Sequence, residues 1–142
     1  MNRLTDKLSV RPQMNAADIR DAAANGFAAI INNRPDGEEP DQPSSETLAA
    51  AAQKAGLAYH YIPVTGDGIG DDDVARFARA VADTDGPVAA FCRTGTRSAT
   101  LWALGEVQQR PVYAVLKDAQ AAGYDLGAHR ARMNAVSGGS GK

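Results

Sequence analysis

The 142-residue sequence contains a single cysteine, so no internal disulfide can form, and an oxidised Cys92 would depend on a thiol from outside the chain to restore it. Histidine is almost as scarce: His60 and His129 stand far apart and far from the cysteine, so no cluster has metal-ligand spacing, and neither metal nor cofactor is expected. An excess of one charge is missing as well, with 15 basic against 17 acidic side chains. No long-range positive field exists to gather nucleic acid or an anionic membrane, and any anion site has to be local. Long apolar runs are absent: no stretch nears the roughly 18 residues of a membrane helix, and the opening "MNRLTDKLSV" has no apolar segment of the kind that directs secretion. These absences predict a soluble, cytoplasmic protein with neither nucleic acid nor membrane as partner. No internal repeat is visible.

An apolar content of 44% over this length suffices for one compact core and is short for two. One domain over 1–134 is expected, with a disordered tail over 135–142, where "SGGSGK" has nothing to bury. Along the chain, Leu8 to Val10 reads as a short strand, and "NAADIRDAAANG" as a helix capped by Asn15 and stopped by Gly26. "FAAIIN" has strand length, and "NRPDGEEPDQPSS" is a loop long enough to suggest a function. Ser44 or Ser45 caps "ETLAAAAQKAG", "LAYHYIPV" alternates as a strand, and "TGDGIGDDD" is a flexible loop whose last aspartates open a helix. "PVAAF" is the next strand and "RSATLWALGEVQQ" the next helix; Pro111 opens another, and a short one is expected near Leu126 to Asn134. Helices alternating with short apolar strands predict a three-layer α/β domain with a mostly parallel sheet and helices on both faces. Such sheets bind ligands beyond the carboxyl ends of their strands, and Cys92 follows one.

A free cysteine is commonly a small buried hydrophobe, but a core cysteine does not require the polar hexapeptide Arg93-Thr94-Gly95-Thr96-Arg97-Ser98 between a buried strand and a helix. If that turn curls around the sulfur, its amides and those opening the next helix form an electropositive nest. Gly95 permits the positive φ that a tight ring of inward amides needs. Arg97 supplies a planar fork for an oxyanion, Arg93 a second charge, and Ser98 a hydroxyl for the thiolate. This setting should draw the thiol below its free pKa of about 8.5 and make Cys92 a nucleophile. Arg34 either swings toward the same pocket or pairs with Asp36, Glu38 or Glu39 on the surface.

"CRTGTRS" resembles the active-site loop of rhodanese-type sulfurtransferases, a cysteine followed by four residues and an arginine. With "GFAAIINNRPDGEEPDQPS" early, "IPV" midway and the cysteine loop late, the chain up to about Leu126 is similar to a bacterial family of dual-specificity-phosphatase-like domains. This is the phosphatase-like domain of β-lactamase-hydrolase-like proteins. The resemblance implies a cysteine-phosphatase-like fold. Because some members are fused to a persulfide-dioxygenase-like metallohydrolase, it also implies a partner enzyme of that kind.

Cysteine phosphatases keep five residues between cysteine and arginine where this sequence keeps four. The shorter ring offers one fewer amide, so a phosphoryl group fits less easily than a single sulfur atom. Phosphatases of this kind also use an aspartate as general acid; Asp67, Asp71, Asp72 and Asp73 compete for that role here and none stands out, while the last three also suit a helix start. The expected function is sulfur transfer, from a small sulfane-sulfur donor through a Cys92 persulfide to a thiol acceptor such as glutathione. The alternatives are a phosphohydrolase working through phosphocysteine, with Asp67 or Asp71 as candidate acid, and a non-catalytic anion-binding regulatory module.

Overall fold

Strands with no polar face have to be covered on both sides, and this requirement sets the architecture. The computed structural model describes residues 2–140. Strands β1 (Asn2–Arg3), β2 (Leu8–Arg11), β3 (Ala29–Asn32), β4 (Ala58–Tyr61) and β5 (Val88–Phe91) form one sheet in the order β1-β2-β5-β3-β4. All neighbours run parallel except β1, which pairs antiparallel with β2. Every residue of β3 and β5 is buried, as expected for the centre of a parallel sheet.

Side-chain alternation divides the core in two. Ile30, Ala89 and Phe91 meet Ile19 and Ala22 of α1 (Ala16–Ala24) and Leu48 and Ala52 of α2 (Ser45–Lys54). On the opposite face Ala29, Ile31, Val88 and Ala90 meet residues of α3 (Asp71–Asp83), α4 (Thr96–Glu106), α5 (Val112–Ala121) and α6 (Arg130–Ser140), among them Phe77, Leu104, Val115 and Met133. The result is the expected single α/β unit of three layers. Within it α4 is the central helix, buried at every position from Ser98 to Leu104 and flanked by α3, α5 and α6.

Local signals set the helix starts. Asn15 and Asp18 form a reciprocal capping box, Ser44 caps α2, and Asp73 accepts the Gly70 amide at the start of α3. Two features depart from the sequence reading. The two-residue β1 was not foreseen. The tail expected to be unstructured from 135 is helical as far as Ser140, because Met133 is fully buried on the core and Val136 packs partly against it; the remainder, 141–142, lies outside the described residues. Among the described residues no helix is long and apolar enough to cross a membrane.

Ile31 is wholly buried on the β3 strand, whereas Tyr113 is 72% exposed on α5. Urea denaturation should therefore show a loss of about 2–5 kcal/mol for Ile31→Ala and a change within about 0.5 kcal/mol for Tyr113→Ala.

Candidate active site

Parallel strands deliver the ends of β2, β3, β4 and β5 to one edge of the sheet, and the chain beyond each end contributes to one polar cluster. Asn33, directly after β3, is fully buried. Its backbone N–H donates to the Phe91 carbonyl (2.8 Å) and its carbonyl accepts from the Val64 N–H (3.1 Å). Its side chain donates to the Ile62 carbonyl (2.9 Å) and accepts from the Ser98 hydroxyl (2.7 Å). One residue thus ties the exits of β3, β4 and β5 to the first turn of α4.

Cys92 follows β5 and is fully buried, yet its loop is not splayed away, since the Gly95 N–H points at Sγ from 3.0 Å. Gly95 also caps α4 with φ +101°, a left-handed conformation that a side chain resists. Space forbids a side chain there too: a Cβ would stand 2.2 Å from the Tyr124 hydroxyl oxygen. Tyr124 itself is buried, donates to the Thr94 carbonyl (3.3 Å) and accepts from Asn2 (3.0 Å), so it clamps the turn from the far end of the chain.

Around this turn lies a chain of alternating charges. Arg97 donates through Nη1 to Glu38 Oε2 (2.8 Å) and the Val64 carbonyl (2.9 Å), and through Nη2 to Glu38 Oε1 (3.0 Å). Arg34, only 4% exposed, donates to Glu38 (2.8 Å), Glu39 (2.8 Å) and Gln13 (3.0 Å), and Glu39 also accepts from Arg93 (3.1 Å). The hydrogen bond from Arg97 is the largest influence on the Glu38 carboxyl; joined by Arg34 and opposed by desolvation, it lowers the pKa from 4.5 to about 2. Arg97 is raised in turn, first by its bond to Glu38, against desolvation, and further by the nearby Cys92 sulfur.

The sequence-predicted residues divide accordingly. Cys92, Gly95 and Arg97 are brought together, while Arg93, Thr94 and Thr96 form the exposed rim, where Thr94 donates to Thr96 (3.1 Å). Of the loop amides, that of Gly95 is bonded to the sulfur and that of Thr96 turns to the Thr94 hydroxyl (3.4 Å). The Ser98 hydroxyl, expected on the thiolate, gives its single proton to Asn33. Arg34 pairs with Glu38 and Glu39, one of the two alternatives held, although in a buried position rather than on the surface. Asp67 is held in its own loop by Thr65 (3.1 Å), and Asp71 is 95% exposed and pairs with Arg132 (3.1 Å), so neither is drawn to the sulfur. His60 lies on β4 and His129 in the short turn before α6, and among the described residues no group of three His, Cys, Asp or Glu could hold a metal. The sequence reading missed Asn33, Gln13 and Tyr124, and the role of Glu38; the paired acids of "DGEEP", four and five residues beyond Arg34, were the one available signal.

A parallel sheet that delivers a cysteine, a tight arginine-bearing turn and a helix N-terminus to one edge defines the cysteine-phosphatase-like class of α/β domains. The likeness to kinase-associated phosphatase, in a form with serine replacing its catalytic-site cysteine, concerns fold alone: TM-score 0.70 and 12% identity, over 94% of this chain and 86% of that one. The chain belongs more narrowly to the family "Beta-lactamase hydrolase-like protein, phosphatase-like domain", whose model matches residues 1–110. A β-lactamase hydrolase-like protein of Xylella fastidiosa strain Temecula1 is 41% identical over 128 residues, which is 87% of this chain but 29% of that protein. The chain thus spans less than a third of the length of this curated relative. A crystal structure from Neisseria meningitidis Z2491, of a protein provisionally designated a phosphatase, superposes with TM-score 0.86 at 36% identity over 95% of this chain and 96% of that one. Kinship therefore favours the phosphatase alternative over sulfur transfer.

Gly95→Ala should destabilise the protein by at least about 1–3 kcal/mol in urea, since it adds backbone strain to the clash with Tyr124; Tyr124→Phe should restore only part of the loss, because the ring remains. The depressed Glu38 carboxyl contributes stability that is complete above its unfolded pKa of 4.5 and lost as pH falls through its folded value of about 2. The stability advantage of wild type over Glu38→Gln should accordingly shrink across that window in an acid titration followed by circular dichroism.

Proposed function

We propose that this domain is a thiol sulfurtransferase that carries a sulfane sulfur on Cys92. The observation that carries the reading is the four-residue interval from Cys92 to Arg97, within which the Gly95 amide is bonded to the sulfur. That ring suits one added sulfur atom better than a phosphoryl group with three peripheral oxygens. A further feature agrees: neither candidate acid, Asp67 or Asp71, is held at the cysteine. Fold kinship does not decide the chemistry, because one fold hosts many reactions and the site must be read by itself.

With thiosulfate as donor, the Cys92 thiolate attacks the outer sulfur, a new S–S bond forms, and the old S–S bond breaks with its electron pair leaving on sulfite. Sulfite needs no proton to depart, so no general acid is required. A thiolate such as that of glutathione then attacks the outer sulfur of the Cys92 persulfide and expels the Cys92 thiolate, which restores the enzyme. The Gly95 amide stabilises negative charge on the protein sulfur in both steps. Since the thiol is buried beneath the exposed Arg93–Thr94 rim, a small donor suits the site better than a bulky one.

The second reading, a phosphohydrolase acting through phosphocysteine, is favoured by the family and by its structural neighbours. Incubation with thiosulfate followed by intact-protein mass spectrometry should show one added sulfur atom, absent in Cys92→Ser, and supply of cyanide should yield thiocyanate. Cys92-dependent phosphate release from an aryl phosphate, with no thiocyanate formed, would reverse the assignment.

A further inference from the structure

Two strands form the margins of the sheet. β1 is two residues long, whereas β4 presents an edge of four residues with no strand beyond it. The amides of Ala58 and Ile62 donate toward β3, to the carbonyls of Ala28 (3.1 Å) and Asn32 (2.9 Å). By alternation the main-chain groups of Tyr59 and Tyr61 point away from the sheet. Arg76 of α3 meets one of them there, its Nη2 donating to the Tyr61 carbonyl (3.3 Å). That bond blunts a single carbonyl and leaves the Tyr59 and Tyr61 amides and the Tyr59 carbonyl as a template for an added strand. Beside this edge runs a groove of about 410 Å³ between β4 and α3, whose polar walls are His60, Arg76, Arg79 and Asp83. The three α3 side chains are exposed, and among the described residues neither Arg79 nor Asp83 has a charged partner.

We propose that the β4 edge docks an extended acidic segment of another protein, which joins the sheet as a further strand and sets its acidic side chains against Arg76 and Arg79. The mode is strand addition, with main-chain bonds supplying affinity and the groove supplying selection. Charge also fixes the pattern of the segment. β4 and β5 both run parallel to β3, so α3 between them in the chain returns antiparallel, with Arg76 beside Tyr61 and Asp83 toward Ala58. A helix rises ~1.5 Å per residue and a strand ~3.3 Å, so Arg79 stands roughly level with His60 and Asp83 about two strand positions further back. The segment's groove-facing residues, alternate along it, are therefore acidic opposite Ile62 and His60 and basic opposite Ala58. A second copy of this chain fits less well: symmetric pairing of Tyr59 with Tyr61 across a two-fold axis at His60 would bring Arg79 against Arg79. The assignment is independent of the sulfur-transfer reading and stands or falls without it.

The probe is the capped peptide Thr-Glu-Thr-Glu-Thr-Lys-Thr, whose order suits antiparallel addition, the more stable pairing. Titrated into isotope-labelled protein, it should shift the Tyr59 and Tyr61 amide signals and slow their hydrogen exchange. Arg76→Glu combined with Arg79→Glu should raise the dissociation constant by about tenfold or more, and the charge-exchanged peptide Thr-Lys-Thr-Lys-Thr-Glu-Thr should then bind in its place. Methylating the third and fifth peptide nitrogens, which face Tyr61 and Tyr59, should abolish binding, a loss that charge attraction alone does not predict. If the double variant fails to fold, the charge-exchanged peptide supplies the same contrast on the unsubstituted protein, to which it should bind at least about tenfold more weakly. No shift of either amide at about 1 mM peptide overturns the assignment. Equal binding of the methylated or of the charge-exchanged peptide to the unsubstituted protein overturns it too. So does a dimer in sedimentation equilibrium that the two glutamates dissociate, because the edge would then belong to a second copy.

Discussion

The hydrogen bonding of Asn33 is the constraint on which the rest of the site depends. A fully buried amide side chain has to satisfy its donors and acceptors from within the protein, and Asn33 does so by reaching Ile62 after β4 and Ser98 in α4, while its backbone holds Phe91 and Val64. Phe91 immediately precedes the cysteine, Val64 supplies a carbonyl to Arg97, and Ser98 sits in the first turn of the helix behind the loop. Moving any of these would orphan a buried polar group. Cys92, Arg97 and the N-terminus of α4 are therefore located by one side chain.

Around that point the charges form a network rather than a bare cationic pocket. Three arginines face two glutamates, and the most deeply buried of them, Arg34, serves as anchor instead of ligand. Such an arrangement restrains each guanidinium in one orientation, which long flexible cations on a surface do not achieve unaided. The cysteine-phosphatase-like framework and the family relationship account for where the site lies, while the short loop bears on which group it handles.

Much of this was legible in the chain because it is encoded locally. Asn15 and Ser44 announce helix starts through their own hydrogen bonds, and the unbroken apolar runs of β3 and β5 reveal strands covered on both faces. Cys92 at a strand end with Gly95 two turn residues on required only the same kind of neighbourhood reading. The pairing of Glu38 with Arg97 joins residues 59 positions apart, and Ser98 meets Asn33 across 65, so both depend on how the crossovers bring strand ends together. The α6 continuation past 134 was hidden because it rests on Met133, buried, and Val136, partly buried, in a mostly polar segment, and β1 because two exposed residues carry no periodicity.

Tyr124 lies beyond residue 110, where the match to the family model stops, yet its ring fills the space that Gly95 leaves empty. The segment after α4 is thus a keystone for the Cys92 turn rather than an appendage. Among the described residues Met133 is the last fully buried side chain, and an excision that removed Tyr124 would leave the loop without the wall that shapes it.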